Sequence, residues 1–179
     1  MKDQLFDALK SNTADYAEVR VEFEERTALA YRGREVESST RSSFVGGLAR
    51  ACTRGGWGVV TFDSLDNLKE RVAEACRCAA LVGREETQLA DTEPVDRETP
   101  AELEQDFRGV GLEEKLKIIG DYNQILLSAS PKIESTNVTY ADAFRTVYFA
   151  SSRGTYFMEE RPRAICVLGA TAREGSLVQ

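Results

Sequence analysis

The chain has 179 residues, of which 42% are hydrophobic, and 23 lysines and arginines against 30 acidic residues give it a net charge of −7. A chain of this length can bury about 70% of the surface that it exposes when unfolded, which is enough for a hydrophobic core. The negative charge argues against a nucleic-acid partner, because phosphate contacts require clustered cations. The sequence has neither a signal peptide nor a run of about 18 apolar residues, so we expect a cytoplasmic protein with no membrane contact.

The first part of the chain predicts a short helix and then strands. Residues 2–10 suit a helix, and residues 17–23 alternate between apolar and charged side chains, as in a strand with one buried face. Residues 27–31 continue as a second strand. A turn at Gly33 then leads to a polar strand over residues 35–43, which we place at an edge of the sheet or facing solvent.

A glycine-rich hairpin follows. Residues 45–53 and 57–62 predict two strands joined by the turn Arg54-Gly55-Gly56. We expect Trp57 in the core, because it follows this turn into a buried strand. The glycines do not have the spacing of a phosphate-binding or dinucleotide-binding loop, so we assign them to hairpin geometry.

Two long helices flank an acidic connector. The first is predicted over residues 64–82, with Ser64 as its N-cap and Gly83 as its stop. Residues 84–108 lack apolar periodicity and contain two prolines and most of the net negative charge. We interpret them as an exposed connector, and a functional acidic patch is the alternative. The second helix is predicted over residues 112–128.

The last part of the chain predicts strands again. Residues 133–150, 155–158 and 163–172 are extended in pattern, with a turn at residues 151–154 after the first of them. Another turn and the start of a return strand, Ser176-Leu177-Val178-Gln179, close the sequence, so we expect the front part of a longer protein. The predicted fold is α+β, a twisted, mostly antiparallel sheet with two long helices packed on one face.

The residue types exclude several chemistries. The chain contains no histidine, which excludes a Ser-His-Asp or Cys-His nucleophile and a histidine-based zinc signature within these residues. Cys76-Arg77-Cys78 is one residue short of the Cys-x-x-Cys spacing, and we interpret all four cysteines as reduced thiols. The sequence therefore assigns no catalytic residue and no metal ligand.

Two arginines are candidates for a functional role. Arg50 lies within the apolar alternation of a presumed inner strand, where it either pairs with a carboxylate or faces a substrate channel. Arg153, in the turn at residues 151–154, has the same two interpretations. An alternative use of the chain is peptide binding by strand addition at the polar edge, residues 35–43.

Three groups of residues, in this order and spacing, resemble the N-terminal region of the TldD/PmbA family, whose members are often labelled modulators of DNA gyrase and are understood as zinc-dependent peptidases. The groups are Glu18-Val19-Arg20 with the turn Tyr31-Arg32-Gly33, the hairpin from Gly47-Leu48-Ala49-Arg50 to Gly55-Gly56-Trp57-Gly58, and Tyr140-Ala141-Asp142 followed by Ser151-Ser152-Arg153-Gly154. Together they span almost the whole chain. The gyrase label receives no electrostatic support, because the chain is acidic.

The resemblance implies a function for residues 1–179 as a whole. They would form the non-catalytic N-terminal lobe of a zinc metallopeptidase, a hydrolase whose zinc is held by a His-Glu-x-x-x-His helix after Gln179. The lobe would shape the access of a peptide or unfolded protein and help to form a homodimer, or a heterodimer with a paralogue. Some family members lack the zinc helix. The alternative function is a stand-alone peptide- or protein-binding module without enzymatic activity.

Overall fold

A computed structural model describes residues 1–86 and 89–178. Gln179 and residues 87 and 88 of the predicted connector lie outside the described residues. The helices are α1 (Lys2–Leu9), α2 (Leu68–Val82) and α3 (Leu112–Ser128), with a 3-10 turn at Phe107–Gly109. The strands are β1 (Tyr16–Arg32), β2 (Glu35–Thr53), β3 (Gly56–Phe62), β4 (Asp96–Thr99), β5 (Ile133–Ser151), β6 (Tyr156–Glu174) and β7 (Leu177–Val178).

The strands form a sheet in the order β3-β2-β1-β5-β6-β4, and β7 pairs with β6. β2 and β3 are antiparallel. β1 and β5 also run antiparallel, since Ser152 donates to Ala17 near one end of the pair and Gly33 donates to Thr136 near the other. Only β4 pairs in parallel among the described pairings, and it does so with the start of β6. The predicted α+β fold with a mostly antiparallel sheet is therefore confirmed.

The chain divides into two compact units. Unit 1 contains residues 1–24, 44–101 and 145–161, and unit 2 contains residues 25–43, 102–144 and 162–179. The divisions fall inside the long strands, so each of β1, β2, β5 and β6 contributes one part to each unit.

In unit 1, α1 and α2 pack on one face of the sheet. The alternating apolar residues of β1 form the core with both helices, and the central members of this core are Leu5, Val19, Val21, Val72, Ala75 and Tyr156. α2 lies very close to β3, because a Cβ atom on Gly58 would be 2.2 Å from the carbonyl oxygen of Ala75. Glycine at this position is therefore required by packing between a helix and a strand.

Unit 2 has its own smaller core, formed by α3 and its part of the sheet. Leu29, Ile119 and Val138 are buried there, from β1, α3 and β5 respectively. Asn123 of α3 donates a hydrogen bond to the carbonyl oxygen of Gly33, and Thr136 donates one to Asn123. This buried polar pair holds α3 against the turn between β1 and β2.

The structure corrects several sequence-based boundaries. The two predicted strands before Gly33 form one strand, β1, and the same is true of the two strands that make up β2 and the two that make up β6. α2 begins at Leu68 and not at Ser64. The hydroxyl of Ser64 instead accepts a hydrogen bond from the backbone N–H of Asp66 and so forms a turn before the helix.

The predicted connector contains a strand that the sequence analysis did not assign. Its described residues are almost all exposed, in agreement with the prediction. However, residues 96–99 form β4, and the N–H of Ala101 donates to the Glu160 carboxylate. Across the described ranges, every helix is too short or too polar to cross a lipid bilayer.

Candidate functional site

The candidate site lies on the face of the unit 1 sheet that is opposite α1 and α2. Because strand side chains alternate, the residues between the core positions of β1 point to this second face. Tyr16 and Glu18 therefore lie here, on either side of the buried Ala17. Arg50 of β2 and Trp57 of β3 reach the same face, since the paired strands place residues 50–52 beside residues 57–59.

A cavity of about 230 Å³ opens at this end of the face. Arg50 and Arg153, the two arginines that the sequence analysis singled out, both line it. They come from different elements, Arg50 from β2 and Arg153 from the turn between β5 and β6. The aromatic side chains of Tyr16, Trp57 and Phe149 complete much of the lining.

Arg50 is held in place by a carboxylate and an aromatic ring. Its Nη2 lies 2.8 Å from Oε1 of Glu18, whose side chain is only 10% exposed. Its guanidinium carbon lies 4.6 Å from the centre of the Trp57 ring, a cation–π arrangement. Arg50 thus pairs with a carboxylate and also lines a cavity, and its role in a substrate channel stays a prediction.

Tyr16 links this pair to Arg153. The Tyr16 hydroxyl donates a hydrogen bond of 2.5 Å to the second oxygen of Glu18. Burial and then this hydrogen bond hold the pKa of Tyr16 well above its usual value. The guanidinium of Arg153 lies 5.7 Å from the centre of the Tyr16 ring, on the cavity side of the network.

Arg153 is placed by a tight turn and by the connector. Gly154 has a φ of +89°, which residues with a Cβ atom rarely adopt, and this turns the chain from β5 into β6. Nη1 of Arg153 donates a 2.7 Å hydrogen bond to the carbonyl oxygen of Ala90. Leu89, Ala90 and Thr92 then form the connector side of the cavity.

Beyond the cavity the same face carries alternating charges. Arg20 contacts Glu22 at 2.5 Å, and Arg145 contacts Glu24 at 2.6 Å. Arg161 contacts Glu159 at 2.5 Å and lowers the pKa of that carboxyl through the hydrogen bond between them. The stacked rings of Phe149 and Phe157, 4.9 Å apart, connect this row to the cavity. The face is therefore polar with aromatic patches.

The residues present do not fit a zinc ion. Within the described ranges no three histidine, cysteine, aspartate or glutamate side chains come together in a way that could hold a metal. The whole chain has no histidine, the residue that zinc peptidases use most as a ligand. The cysteines are free, with Cys52 and Cys76 buried and Cys166 exposed. No step of a metal-dependent reaction is assigned to these residues.

Sequence reasoning found part of this site. It identified Arg50 and Arg153 but placed Trp57 in the core, which is wrong, because Trp57 is 40% exposed and lines the cavity. α2 packs against the face of β3 that carries Gly58, and Trp57, the preceding residue, points to the opposite face. The roles of Tyr16 and Glu18 were missed. The available signal was their spacing, since both alternate with buried residues and so share a face with Arg50.

Unit 2 has a separate buried polar cluster at the Tyr140-Ala141-Asp142 segment. Nζ of Lys115 lies 2.5 Å from Oδ2 of Asp142, and their side chains are only 7% and 4% exposed. The Tyr140 hydroxyl donates to the same oxygen at 2.6 Å, and burial followed by this bond raises the pKa of Tyr140. Through these two contacts to Asp142 the cluster links α3 to β5.

Unit 1 is thus a mostly antiparallel sheet with helices on one face and a cationic, aromatic cavity on the other, and the whole chain is a domain of the α+β class. A model of the PmbA/TldA metallopeptidase domain 1 matches residues 17–79, and a model of the PmbA/TldA metallopeptidase central domain matches residues 105–178. The two models together match most of the chain. The chain belongs to the TldD/PmbA family.

Curated relatives carry metalloprotease names. The chain is 35% identical over 167 residues to a metalloprotease from Synechocystis sp., a match covering 93% of this chain and 36% of that protein. It is 25% identical over 174 residues to a metalloprotease from Methanocaldococcus jannaschii, covering 92% of this chain and 37% of that protein. The chain therefore spans little more than a third of the length of the curated relatives that it matches.

Solved structures share the fold. A candidate modulator of DNA gyrase from Bacteroides thetaiotaomicron has a TM-score of 0.80 at 17% identity, with 99% of this chain and 42% of that chain covered. TldE from Thermococcus kodakarensis has a TM-score of 0.73 at 18% identity, with 99% and 40% covered. At these identities the likeness concerns the fold alone.

Proposed function

We propose that this chain is the N-terminal, non-catalytic lobe of a TldD/PmbA-like zinc-dependent metallopeptidase, and that it shapes the access of a peptide or unfolded protein to the catalytic lobe. The observation that carries the proposal is the meeting of Arg50 and Arg153 at one cavity on the helix-free face of unit 1. The longer relatives named as metalloproteases support it, because the chain accounts for only 36% and 37% of their lengths.

The residue types support separate roles for this lobe, which would contact the substrate, and for another part of the protein, which would bind zinc. These 179 residues contain no histidine and the described ones hold no cluster of metal ligands, so in our proposal the zinc and its ligands belong to another part of the protein. The helix-free face instead offers paired charges and aromatic rings, which can contact an extended backbone and its side chains. A cytoplasmic location and a homodimer or paralogue heterodimer are further parts of the proposal.

The test uses the longer protein that contains this chain. Arg153→Gln is compared with Arg77→Gln, which removes an exposed arginine of unit 1 on α2. We expect both variants to retain zinc, and we expect Arg153→Gln alone to change kcat/KM for unfolded polypeptides by about fivefold or more. A chelator should abolish cleavage and added zinc should restore it.

Two outcomes would contradict the proposal. Equal kcat/KM for Arg153→Gln and Arg77→Gln would show that the substrate does not contact the cavity. Cleavage that persists in chelator would rule out a zinc peptidase. Selectivity is measured by offering the same polypeptide in a folded and an unfolded form, since a lobe that restricts access should favour the unfolded one.

A second candidate function, a stand-alone peptide-binding module, is favoured by one observation. β3 pairs with β2 only over residues 47–53 of β2, and in the described part of the chain no strand covers that edge over residues 35–43. All nine of these residues are exposed. Such an edge can accept a peptide as an additional strand.

The two candidates predict different responses to proline. Adjacent backbone N–H groups of a strand point to opposite edges, so only one of Ser38→Pro and Ser39→Pro removes a donor from the open edge. If the chain binds peptides by strand addition, that variant alone should keep the fold and lose peptide binding. Retention of binding in every folded proline variant would leave the cavity as the better site.

A further inference from the structure

The cavity of unit 1 is cationic in an acidic chain. Two arginines line it, and its lining contains no aspartate or glutamate among the described residues. The chain as a whole has a net charge of −7, so a ligand with a negative group is repelled by most of the molecule but attracted here. Glu18 lies behind Arg50 and is engaged by both Arg50 and Tyr16.

The guanidinium groups of Arg50 and Arg153 are each fixed at one end and keep further N–H donors for a ligand. A guanidinium has five N–H donors in a planar fork. Arg50 uses Nη2 for Glu18 while its plane lies near the Trp57 ring, and Arg153 uses Nη1 for the Ala90 carbonyl. Fixing one end of each side chain lowers the entropy lost when the remaining donors bind a ligand.

The size and lining of the cavity limit what fits. Sites for drug-sized ligands have volumes of about 300–1,000 Å³, whereas this cavity has about 230 Å³. It can therefore hold one carboxylate and an adjoining side chain more easily than a nucleotide. The rings of Trp57 and Phe149 offer an apolar wall beside the two cations.

We propose that this cavity binds a carboxylate of a peptide, with the planar forks of Arg50 and Arg153 donating to its oxygens and Trp57 and Phe149 contacting the neighbouring side chain. This inference rests on the proposed function and names the substrate group that the lobe would recognise. The carboxylate comes from the C-terminus of the peptide or from an acidic side chain, and the arms of the experiment distinguish these two sources.

The measurement is direct binding to the 179-residue chain, independent of any peptidase activity. Trp57 is the only tryptophan, so intrinsic fluorescence reports on the cavity itself. Three peptides are titrated: N-acetyl-Gly-Phe with a free carboxylate, its C-terminal amide, and N-acetyl-Glu-Phe-amide. We expect a saturable change with the free acid and about tenfold weaker binding of the neutral amide. Recovery of affinity by the glutamyl amide shows that the cavity also accepts a side-chain carboxylate, and no recovery shows that it accepts only the C-terminus.

The variants distinguish recognition by the planar guanidinium from attraction by a positive charge alone. Arg153→Gln should weaken binding of the acid about tenfold, and Arg153→Lys should weaken it less, since lysine keeps the charge but lacks the planar fork. Glu18→Gln together with Arg50→Gln removes the second fork without leaving a buried carboxylate unpaired. Arg77→Gln, the exposed control on α2, should leave binding unchanged.

Three results would overturn the inference. The first is equal affinity for the acid and the neutral amide. The second is an equal loss in Arg77→Gln and Arg153→Gln, which indicates general attraction by surface cations. The third is no saturable change up to about 10 mM peptide, which places the dissociation constant above any useful range. The proposed function has a separate readout, kcat/KM in the longer protein, so the two can fail independently.

Discussion

At the scale of single residues, the ion pairs of this chain differ mainly in burial. Lys115 of α3 and Asp142 of β5 are almost fully buried, whereas Lys117 and Asp121, which both lie on α3, are 76% and 62% exposed. Removing one partner of a buried pair leaves a charge without its counterion in a medium of low dielectric, and water screens an exposed pair. Lys115 and Lys117 therefore form a matched comparison, because both lysines lie on α3.

We expect Lys115→Met to lower the free energy of unfolding by about 3 kcal/mol, because Asp142 would stay buried without a cation. Lys117→Met should have no measurable effect. Urea unfolding checks both variants, and the double variant Lys115→Met with Asp142→Asn should recover more than half of the loss. Equal effects of the two single methionine variants would show that burial does not govern these pairs.

Ionisation of the buried Tyr156 should lower the stability of the fold at alkaline pH. Burial, followed by the charge of Glu98 and the hydrogen bond to it, raises the pKa of Tyr156 from 10.0 to about 12. A folded pKa above the unfolded one gives stability that is complete below about pH 10 and is lost as the pH rises towards about 12.

Tyr156→Phe should accordingly lose less stability than the unchanged chain between about pH 10 and 12. The free energy of unfolding in urea, measured at several pH values, gives the two slopes. In the variant, the free energy of unfolding should fall less steeply with pH than in the unchanged chain. It should still fall, because the pKa values of Tyr16 and Tyr140 are raised as well. Identical slopes for the variant and the unchanged chain would show that Tyr156 is not responsible.

At the scale of elements, the contact between α2 and β3 leaves no room for a side chain. A Cβ atom on Gly58 would lie 2.2 Å from the carbonyl oxygen of Ala75 and 2.5 Å from the backbone nitrogen of Ala79. Both are backbone atoms of a helix, so neither can move away alone. Around Gly109, in contrast, a Cβ atom would meet nothing within 4 Å.

Gly58→Ala should therefore lower the free energy of unfolding by about 1–3 kcal/mol by forcing α2 away from the sheet. Gly109→Ala, the control, should change it by less than about 0.5 kcal/mol. Thermal or urea unfolding of both variants is the measurement. A Gly58→Ala variant as stable as the control would mean that α2 and β3 are further apart than in this structure.

At the scale of the whole molecule, the acidic connector is an internal stretch whose described residues are almost all exposed. Its charge and prolines predict a solvated connector, and this exposure agrees with that prediction. β4 nevertheless ties residues 96–99 to the start of β6, and Lys2 pairs with Asp96 at 2.5 Å. Residues 96–99 should therefore be more resistant to proteolysis than the rest of the connector.

A glutamate-specific protease should consequently cut first within residues 84–108, at Glu93 or Glu102 before Glu98, because Glu98 lies in β4. Mass spectrometry of the earliest fragments identifies the site. Initial cleavage after Glu70 or Glu74, within α2, would show that the helix and not the connector opens most easily.

The sequence by itself determined the elements whose signals are local. Alternation along β1, the periodicity of α3, the turns at Gly33 and Gly154, and the absence of histidine follow directly from residue types, and α3 begins and ends where the sequence predicted. The candidates Arg50 and Arg153 were likewise found as charged residues in unusual positions. Such features depend on neighbours in the chain, so a single sequence contains them.

Only the tertiary structure decided which residues meet. Because α2 packs against one face of β3, Trp57 is exposed on the other face, and pairing with β6 makes a strand of residues 96–99. The cavity exists because a residue of β2 and one from the turn after β5 reach the same end of the sheet. These contacts join residues far apart in the chain, and their free energy comes from burial and pairing that no local pattern encodes.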